Sequence, residues 1–245
     1  GIFTGLALIT KSSAVALLLP AVIALVLGTR EATKKNKLIS VLAAVVPVAL
    51  IASPWLIRNT NLYGDPLALG AFGQAFSGTA QAADFVQAFG AWGYWSGINE
   101  IGVGVGWWTL RSLLGAFGYM DIFLPNGLVA TFSVFLAAML VVWLASLRRV
   151  SSEDGVPRGA NTANLILGLF GLLVVVLFLR FNAQYFQAQA RYLLPALVSI
   201  SCIVGMSLYR LLPKVWAWAI VGVPLLALNI YILSWLPDEF AQRMS

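Results

Sequence analysis

Polar side chains gather at the end of a long apolar run, in the segment SPWLIRNTNLYGDP from Ser53 to Pro66. They are Arg58, Asn59, Asn61, Tyr63 and Asp65. A guanidinium group suits phosphate recognition, and a carboxylate is one of the groups that can act as a general base. The Gly-Asp-Pro sequence predicts a closing turn, and Trp and Tyr favour the headgroup level of a membrane. We interpret this segment as the rim of a site at a membrane boundary.

The composition is that of a membrane protein. Hydrophobic residues make up 60% of the 245 residues and charged residues 10%, with a mean hydropathy of +0.90. Apolar runs of about 20 residues suit helical spans and are too long for barrel strands. The basic residues are scattered among short loops, so the net charge of +6 indicates membrane topology and excludes nucleic acid as a partner. Without histidine, a general base must be a carboxylate, Lys, Tyr or Cys.

We therefore predict an all-α fold, a polytopic bundle of about six transmembrane helices plus a truncated first helix, with residues 1–245 in a single membrane domain. The first helix ends near Ile9, and a turn at Lys11 avoids burying a lysine within one long span. The spans are Ala14–Leu27, Leu38–Ile57, Gly127–Leu147, Ala163–Leu179, Tyr192–Tyr209 and Val215–Leu233. Because the chain starts inside an apolar run, we expect it to be the later part of a longer protein.

Charge asymmetry orients these spans. Lys and Arg cluster after the first, third and fifth spans, which places those loops, including Arg148, Arg149 and Arg158, in the cytoplasm. The section from about residue 58 to 125 is then external, with Gln81–Phe89 and Trp107–Phe117 as interfacial helices. A further span over Ile101–Leu124 would place Arg111 near the bilayer centre, so we reject it.

Five cations fall at the external boundary, where insertion alone disfavours positive charge. They are Lys11, Arg58, Arg111, Arg180 and Arg191. Any one of them could simply extend from a helix end toward the interface. Their convergence on one side instead favours an anionic lipid ligand, above all a phosphate or diphosphate.

Carboxylates on the same side include Asp65 and Asp121, the candidates for a catalytic base. Asp65 suits a turn-capping role in its Gly-Asp-Pro sequence, and Asp121 could pair with Arg111. Spacing alone supplies no catalytic geometry, so we favour structural roles for both.

Four motifs together resemble the later part of the GT-C superfamily of integral membrane glycosyltransferases, the group of protein mannosyltransferase and aminoarabinose transferase relatives. They are GLALITKSSAVALLLPA (Gly5–Ala21), SPWLIRNTNLYGDPLA (Ser53–Ala68), LRSLLGAFGYMDIFLP (Leu110–Pro125) and QARYLLPAL (Gln189–Leu197). The resemblance implies a bacterial inner-membrane enzyme that transfers a sugar from a polyprenyl-phosphate carrier to a glycan, lipid or protein acceptor on the non-cytoplasmic face, among membrane lipids.

On this resemblance, Lys11, Arg58 and Arg191 would hold the carrier phosphate, while Asn59, Tyr63, Arg111 and Tyr192 would line the substrate site. The family's acidic motif, in its first external loop, has no counterpart in this sequence, which leaves the catalytic base unassigned. Metal dependence stays open, with a divalent ion as the cofactor to consider. A polymerase or ligase of lipid-linked polysaccharide is the close alternative, and a secondary transporter is the alternative from another class.

Overall fold

A computed structural model describes residues 1–149, 160–212 and 214–244, which form ten α-helices and one short antiparallel hairpin. The helices are α1 (Ile2–Thr10), α2 (Leu18–Gly28), α3 (Lys34–Tyr63), α4 (Leu69–Ala75), α5 (Ala82–Ser96), α6 (Val105–Leu114), α7 (Asn126–Arg149), α8 (Ala160–Asn182), α9 (Leu197–Leu211) and α10 (Lys214–Met244). The strands are β1 (Ala116–Phe117) and β2 (Ile122–Phe123), and 3₁₀ segments cover Ser12–Leu17, Ala190–Tyr192 and Leu194–Ala196. The predicted all-α class is confirmed.

Five helical segments are long and apolar enough to cross a membrane. They cover Lys34–Tyr63, Asn126–Ser146, Thr162–Asn182, Leu194–Leu211 and Ala219–Arg243, and a shorter apolar helix covers Ser13–Gly28. This arrangement agrees with the predicted bundle of about six spans. The protein is an integral, multi-pass membrane protein.

Two spans differ from their predicted ends. Helix α3 continues past Ile57 to Tyr63 and stops at Gly64, whose φ of 69° gives the left-handed cap that glycine adopts without strain. Arg58 therefore lies on the last turns of a helix and not in a loop. Helix α9 begins only at Leu197, because Pro195 lies in the 3₁₀ turn just before it and cannot donate a helical hydrogen bond.

The section predicted to be external, from about residue 58 to 125, folds into short elements after α3 ends. Helix α5 bends at Gly90, where φ is 71°, and its first half confirms that a helix forms near Gln81–Phe89; its interfacial position stays a prediction. Helix α6 covers most of the second predicted helix, Trp107–Phe117, and ends at Leu114. Its ten residues are followed at once by the hairpin, so the rejected span over Ile101–Leu124 does not form.

The chain divides into two compact units, Gly1–Thr109 with Arg158–Ser199, and Leu110–Pro157 with Ile200–Ser245. That residues 1–245 form a single membrane domain therefore remains a prediction. Arg158, assigned to a cytoplasmic loop, lies outside the described residues, and the side chains of Arg148 and Arg149 are not described either.

In the first unit, α1 and α3 run parallel and in close contact. Gly1 lies against the backbone of Ala44, and Gly5 lies against Ile51. The two helices therefore run in the same direction. A Cβ atom placed on Gly5 would stand only 3.0 Å from the Cβ of Ile51. The apolar core of this unit lies farther along the chain, around the fully buried ring of Tyr94 and the side chain of Phe178.

In the second unit, α7 and α9 are joined by a buried hydroxyl. Ser207 donates through Oγ to the carbonyl oxygen of Met139 at 2.8 Å. The end of α10 is joined to the hairpin region by an ion pair, in which Nη1 of Arg243 lies 3.0 Å from Oδ2 of Asp121.

Candidate functional site

Lys11 occupies a break between two helical segments. Its backbone is extended, with φ −152° and ψ 128°, and its N–H donates to the carbonyl oxygen of Ala7 to close α1. The 3₁₀ segment begins at the next residue. A lysine that interrupts an apolar run in this way keeps its ammonium group exposed, which avoids the cost of burying a charge within a span.

The segment that carries Arg191 is fixed at its start by Asn182, the fully buried last residue of α8. The Asn182 amide donates to the carbonyl oxygen of Phe178 at 3.0 Å, and its Oδ1 accepts from the N–H of Gln187 at 3.0 Å. The buried hydroxyl of Tyr94 donates to the Asn182 backbone oxygen. Burial raises the pKa of Tyr94 to about 12, so the hydroxyl keeps its proton at neutral pH.

Backbone hydrogen bonds hold the same segment to the residues before α5. The N–H of Ala82 donates to the oxygen of Gln184 at 3.0 Å, and the N–H of Phe186 donates to the oxygen of Ala80 at 2.8 Å. The segment therefore leaves α8 in one defined direction before it reaches Arg191.

Lys11, Arg191 and Tyr192 meet in space, and we refer to these three residues as the cation cluster. The ammonium nitrogen of Lys11 lies 5.3 Å from the centroid of the Tyr192 ring and donates to the carbonyl oxygen of Arg191 at 3.4 Å. The guanidinium carbon of Arg191 also lies 5.3 Å from that centroid. Within the described residues, neither cation forms an ion pair with a carboxylate.

Arg58 lies toward the same end of the first unit. Gly5 of α1 stands opposite Ile51 of α3, and the two helices run parallel. At about 1.5 Å of rise per residue, Lys11 and Arg58 each lie roughly 10 Å beyond that contact. The structure thus places the three cations assigned to phosphate binding at one end of this unit.

An apolar cavity of about 340 Å³ opens beside Lys11. Its lining residues are Ala7, Thr10, Lys11, Ser13, Ala14, Leu17, Phe170 and Pro195. The cavity therefore lies between Lys11 of the cation cluster and Phe170 of α8. Its apolar lining suits a hydrocarbon chain, and Lys11 suits an anionic head group.

Asp65 organises the turn after α3. Its Oδ1 accepts from the N–H of Leu67 at 2.9 Å, and its Oδ2 accepts from the N–H groups of Leu69 at 2.6 Å and Gly70 at 3.4 Å. These hydrogen bonds lower the pKa of Asp65 below its ordinary value, and the bond from Leu67 has the largest effect. The carboxylate is thus occupied by the turn, as its Gly-Asp-Pro sequence indicated.

The two predicted substrate-site residues of α3, Asn59 and Tyr63, lie in different environments. Asn59 is buried and donates through Nδ2 to the carbonyl oxygen of Pro66 at 3.1 Å, which ties the turn to the helix. Its Oδ1 accepts a long, 3.5 Å hydrogen bond from Arg58. Tyr63 is about half exposed.

Arg111 and Asp121 lie in the second unit. The guanidinium carbon of Arg111 stands 3.9 Å from the centroid of the Phe123 ring, and burial lowers the pKa of this arginine. The ion-pair partner of Asp121 is Arg243, where the sequence had suggested Arg111. The separation in sequence explains the error, since only the folded α10 brings Arg243 to the hairpin.

Sequence reasoning missed Tyr94 and Asn182. A tyrosine among other aromatic residues and an asparagine at the end of an apolar run gave no signal of their own. In the described part of the chain, His, Cys, Asp and Glu form no group of three that could hold a metal ion.

Comparisons of the chain with protein-family models, with curated proteins and with solved structures find no match. The resemblance to the GT-C superfamily accordingly rests on the four sequence motifs.

Proposed function

We propose that this protein is a membrane glycosyltransferase that takes a sugar from a polyprenyl-phosphate carrier on the non-cytoplasmic face. The observation that carries the proposal is the cation cluster next to an apolar cavity, whose lining includes Lys11 of that cluster. Both cations lack carboxylate partners in the described structure, and one of them, Lys11, lines a space walled almost entirely by hydrocarbon. A long isoprenoid chain that ends in a phosphate has the matching distribution of charge and apolar surface.

The same cluster would assist the reaction. When a sugar leaves its carrier, negative charge grows on the phosphate, and cations already in place stabilise that charge in the transition state. Lys11 supplies a compact ammonium group and Arg191 a planar guanidinium group, which can bind two phosphate oxygens at once. Tyr192 holds the two cations on one ring, each through a cation–π contact of about 0.5–1 kcal/mol.

The test is sugar transfer from a polyprenyl-phosphate donor in proteoliposomes, together with binding of the unglycosylated carrier. Lys11→Ala and Arg191→Ala are each expected to weaken carrier binding about tenfold or more, because each removes a charged donor to the phosphate. Lys35→Ala, an exposed cation of α3 in the predicted cytoplasmic loop, is the matched control and should change neither measurement.

Two outcomes would refute the proposal. Equal carrier binding by both alanine variants and the unsubstituted protein would leave the cations as ordinary boundary residues. Transfer that requires a diphosphate-linked oligosaccharide donor, and fails with the monophosphate-linked sugar, would favour the polysaccharide polymerase or ligase.

A further inference from the structure

We propose that Gln187 and Gln189 form the sugar-binding subsite of the carrier-lipid site, where their side-chain amides bond to hydroxyl groups of the sugar that the phosphate carries. This inference rests on the proposed function and names the residues that distinguish a sugar-loaded carrier from an empty one. Its basis is the burial and the hydrogen bonding of the segment that leads from α8 to Arg191.

Burial separates two kinds of residue along this segment. Ala188 and Ala190 are buried, and Ala188 belongs to the apolar core of the first unit. Gln187 and Gln189 each keep part of their surface accessible, and Arg191 is exposed. The two glutamines therefore lie on the accessible side of the segment, as Arg191 does. Two residues of chain span at most about 7 Å, so a group bound at Gln189 is within reach of a phosphate bound at Arg191.

Hydrogen bonds fix the backbone of both glutamines. The N–H of Gln187 donates to Oδ1 of Asn182 at 3.0 Å, and the N–H of Gln189 donates to the carbonyl oxygen of Gln187 at 2.8 Å. The carbonyl oxygen of Gln189 accepts from the N–H of Tyr192 at 3.1 Å, which links it to the cation cluster. Because the main chain is already ordered, a ligand that binds these side chains does not have to order the segment first.

The side-chain amides of Gln187 and Gln189 are uncommitted. In the part of the chain that the structure describes, neither amide forms a hydrogen bond, whereas the amide of Gln81 donates to the carbonyl oxygens of Phe76 and Thr79. Neither amide is among the polar side-chain atoms closed off from the surface, so a ligand can reach both. Water bonds to such groups in the empty protein, and a ligand that displaces it must reproduce those hydrogen bonds.

The neighbouring groups define the chemistry of the ligand. An amide supplies two donors and an acceptor, so it matches a hydroxyl group, which also donates and accepts. Lys11 and Arg191 supply donors only, so they match the oxygens of a phosphate. A phosphate that carries a polyhydroxylated group meets both requirements at once. An empty carrier phosphate uses the cations alone and leaves the two amides to water.

This difference supplies the test. Gln187→Ala and Gln189→Ala should each bind a hexose-linked polyprenyl phosphate about three- to tenfold more weakly, because each loses neutral hydrogen bonds to the sugar. The affinity of both variants for polyprenyl phosphate without a sugar should stay within about twofold, which also shows that the variants are folded. Lys11→Ala should weaken binding of both lipids.

Gln87→Ala is the matched control. Gln87 is an exposed residue of α5, two positions from Phe85, whose ring packs on Phe186 at 4.5 Å. Residues two positions apart in a helix face nearly opposite directions, so the Gln87 amide points away from that contact. Its removal should change the affinity for neither lipid.

Binding is measured in phosphatidylcholine nanodiscs with three probes: polyprenyl phosphate, polyprenyl-phosphate mannose and polyprenyl-phosphate glucose. A loss confined to the sugar-linked lipids supports the inference. An equal loss for polyprenyl phosphate would assign the glutamines to the phosphate, and no loss for any probe would leave them to water; either result overturns it.

The two proposals fail separately. If the unsubstituted protein binds polyprenyl phosphate, and neither sugar-linked lipid binds more tightly than that empty carrier, this inference is wrong while the carrier site stands. If the unsubstituted protein binds none of the three lipids, the proposed function itself is wrong.

Discussion

The ammonium nitrogen of Lys11 donates to the carbonyl oxygen of Arg191, 180 positions further along the chain, at 3.4 Å. One residue interrupts the first apolar run, and the other lies in the irregular segment between α8 and α9. Their meeting depends on two separate supports, namely the packing of α1 on α3 and the hydrogen bonds at the end of α8. Each support can be weakened by a substitution that leaves both cations in place.

The first prediction concerns Gly5, at the close contact between α1 and α3. A side chain there would meet Ile51 at 3.0–3.3 Å, so Gly5→Val should displace α1 and destabilise the protein by about 1–3 kcal/mol. Because Lys11 follows α1 directly, carrier binding should also weaken. Gly28→Val is the control, since nothing lies within 4 Å of a Cβ atom at that position. Equal melting temperatures for the two variants, measured in detergent, would contradict the close-packing argument.

The second prediction concerns the hydrogen bond from Tyr94 to the backbone of Asn182. Tyr94→Phe keeps the buried ring but leaves that carbonyl oxygen without the hydroxyl donor, which should destabilise the protein by about 1–3 kcal/mol. Tyr119→Phe removes the hydroxyl of a fully exposed side chain and should have almost no effect. Thermal unfolding of both variants is the measurement, and a stable Tyr94→Phe protein would show that the segment before Arg191 is held by other contacts.

The fold follows from the sequence because lipid solubility and loop charge are strong, local signals. The lengths of the apolar runs predicted the membrane spans. The free-energy cost of burying a charged lysine predicted the break at Lys11. The end of α3 was predicted too early because a polar helical turn at a membrane boundary looks like a loop in sequence. Gly64, the residue that stops this helix, marks the end more faithfully than the first charged residue does.

The site was less accessible to sequence reasoning. Charge at the membrane boundary indicated Lys11 and Arg191 separately, but only the fold shows that both face the ring of Tyr192. The partner of Asp121 was likewise beyond reach, since Arg243 lies on another element.

The third prediction concerns the pH dependence of the turn at Asp65. Backbone hydrogen bonds lower the folded-state pKa of this carboxyl below its ordinary value of 3.8. The stabilisation it provides is therefore fully present above pH 3.8 and is lost as the pH falls through the lowered folded-state pKa. Asp65→Asn cannot ionise and should lack this component. The difference between the melting temperatures of the two proteins should shrink as the pH falls below 3.8, and a constant difference down to the acid limit of folding would refute the assignment.

The last prediction is that neither Asp65→Asn nor Asp121→Asn abolishes sugar transfer. The Asp65 carboxylate accepts hydrogen bonds from three backbone N–H groups, and Asp121 forms an ion pair with Arg243. Each carboxylate therefore stabilises local structure. The Asp121 pair is about half exposed, so the loss of its charge should cost less than about 1 kcal/mol and should cost still less at high salt. Carrier binding should stay unchanged in Asp121→Asn.

Transfer of radiolabelled sugar from a polyprenyl-phosphate donor in proteoliposomes decides the matter, with Lys11→Ala as the variant expected to fail. If Asp121→Asn unfolds at the same temperature as the unsubstituted protein and binds the carrier normally, but transfers no sugar, its carboxylate must act on the reacting groups. That outcome would make Asp121 a catalytic residue, and its ion pair with Arg243 would then serve to orient the carboxylate.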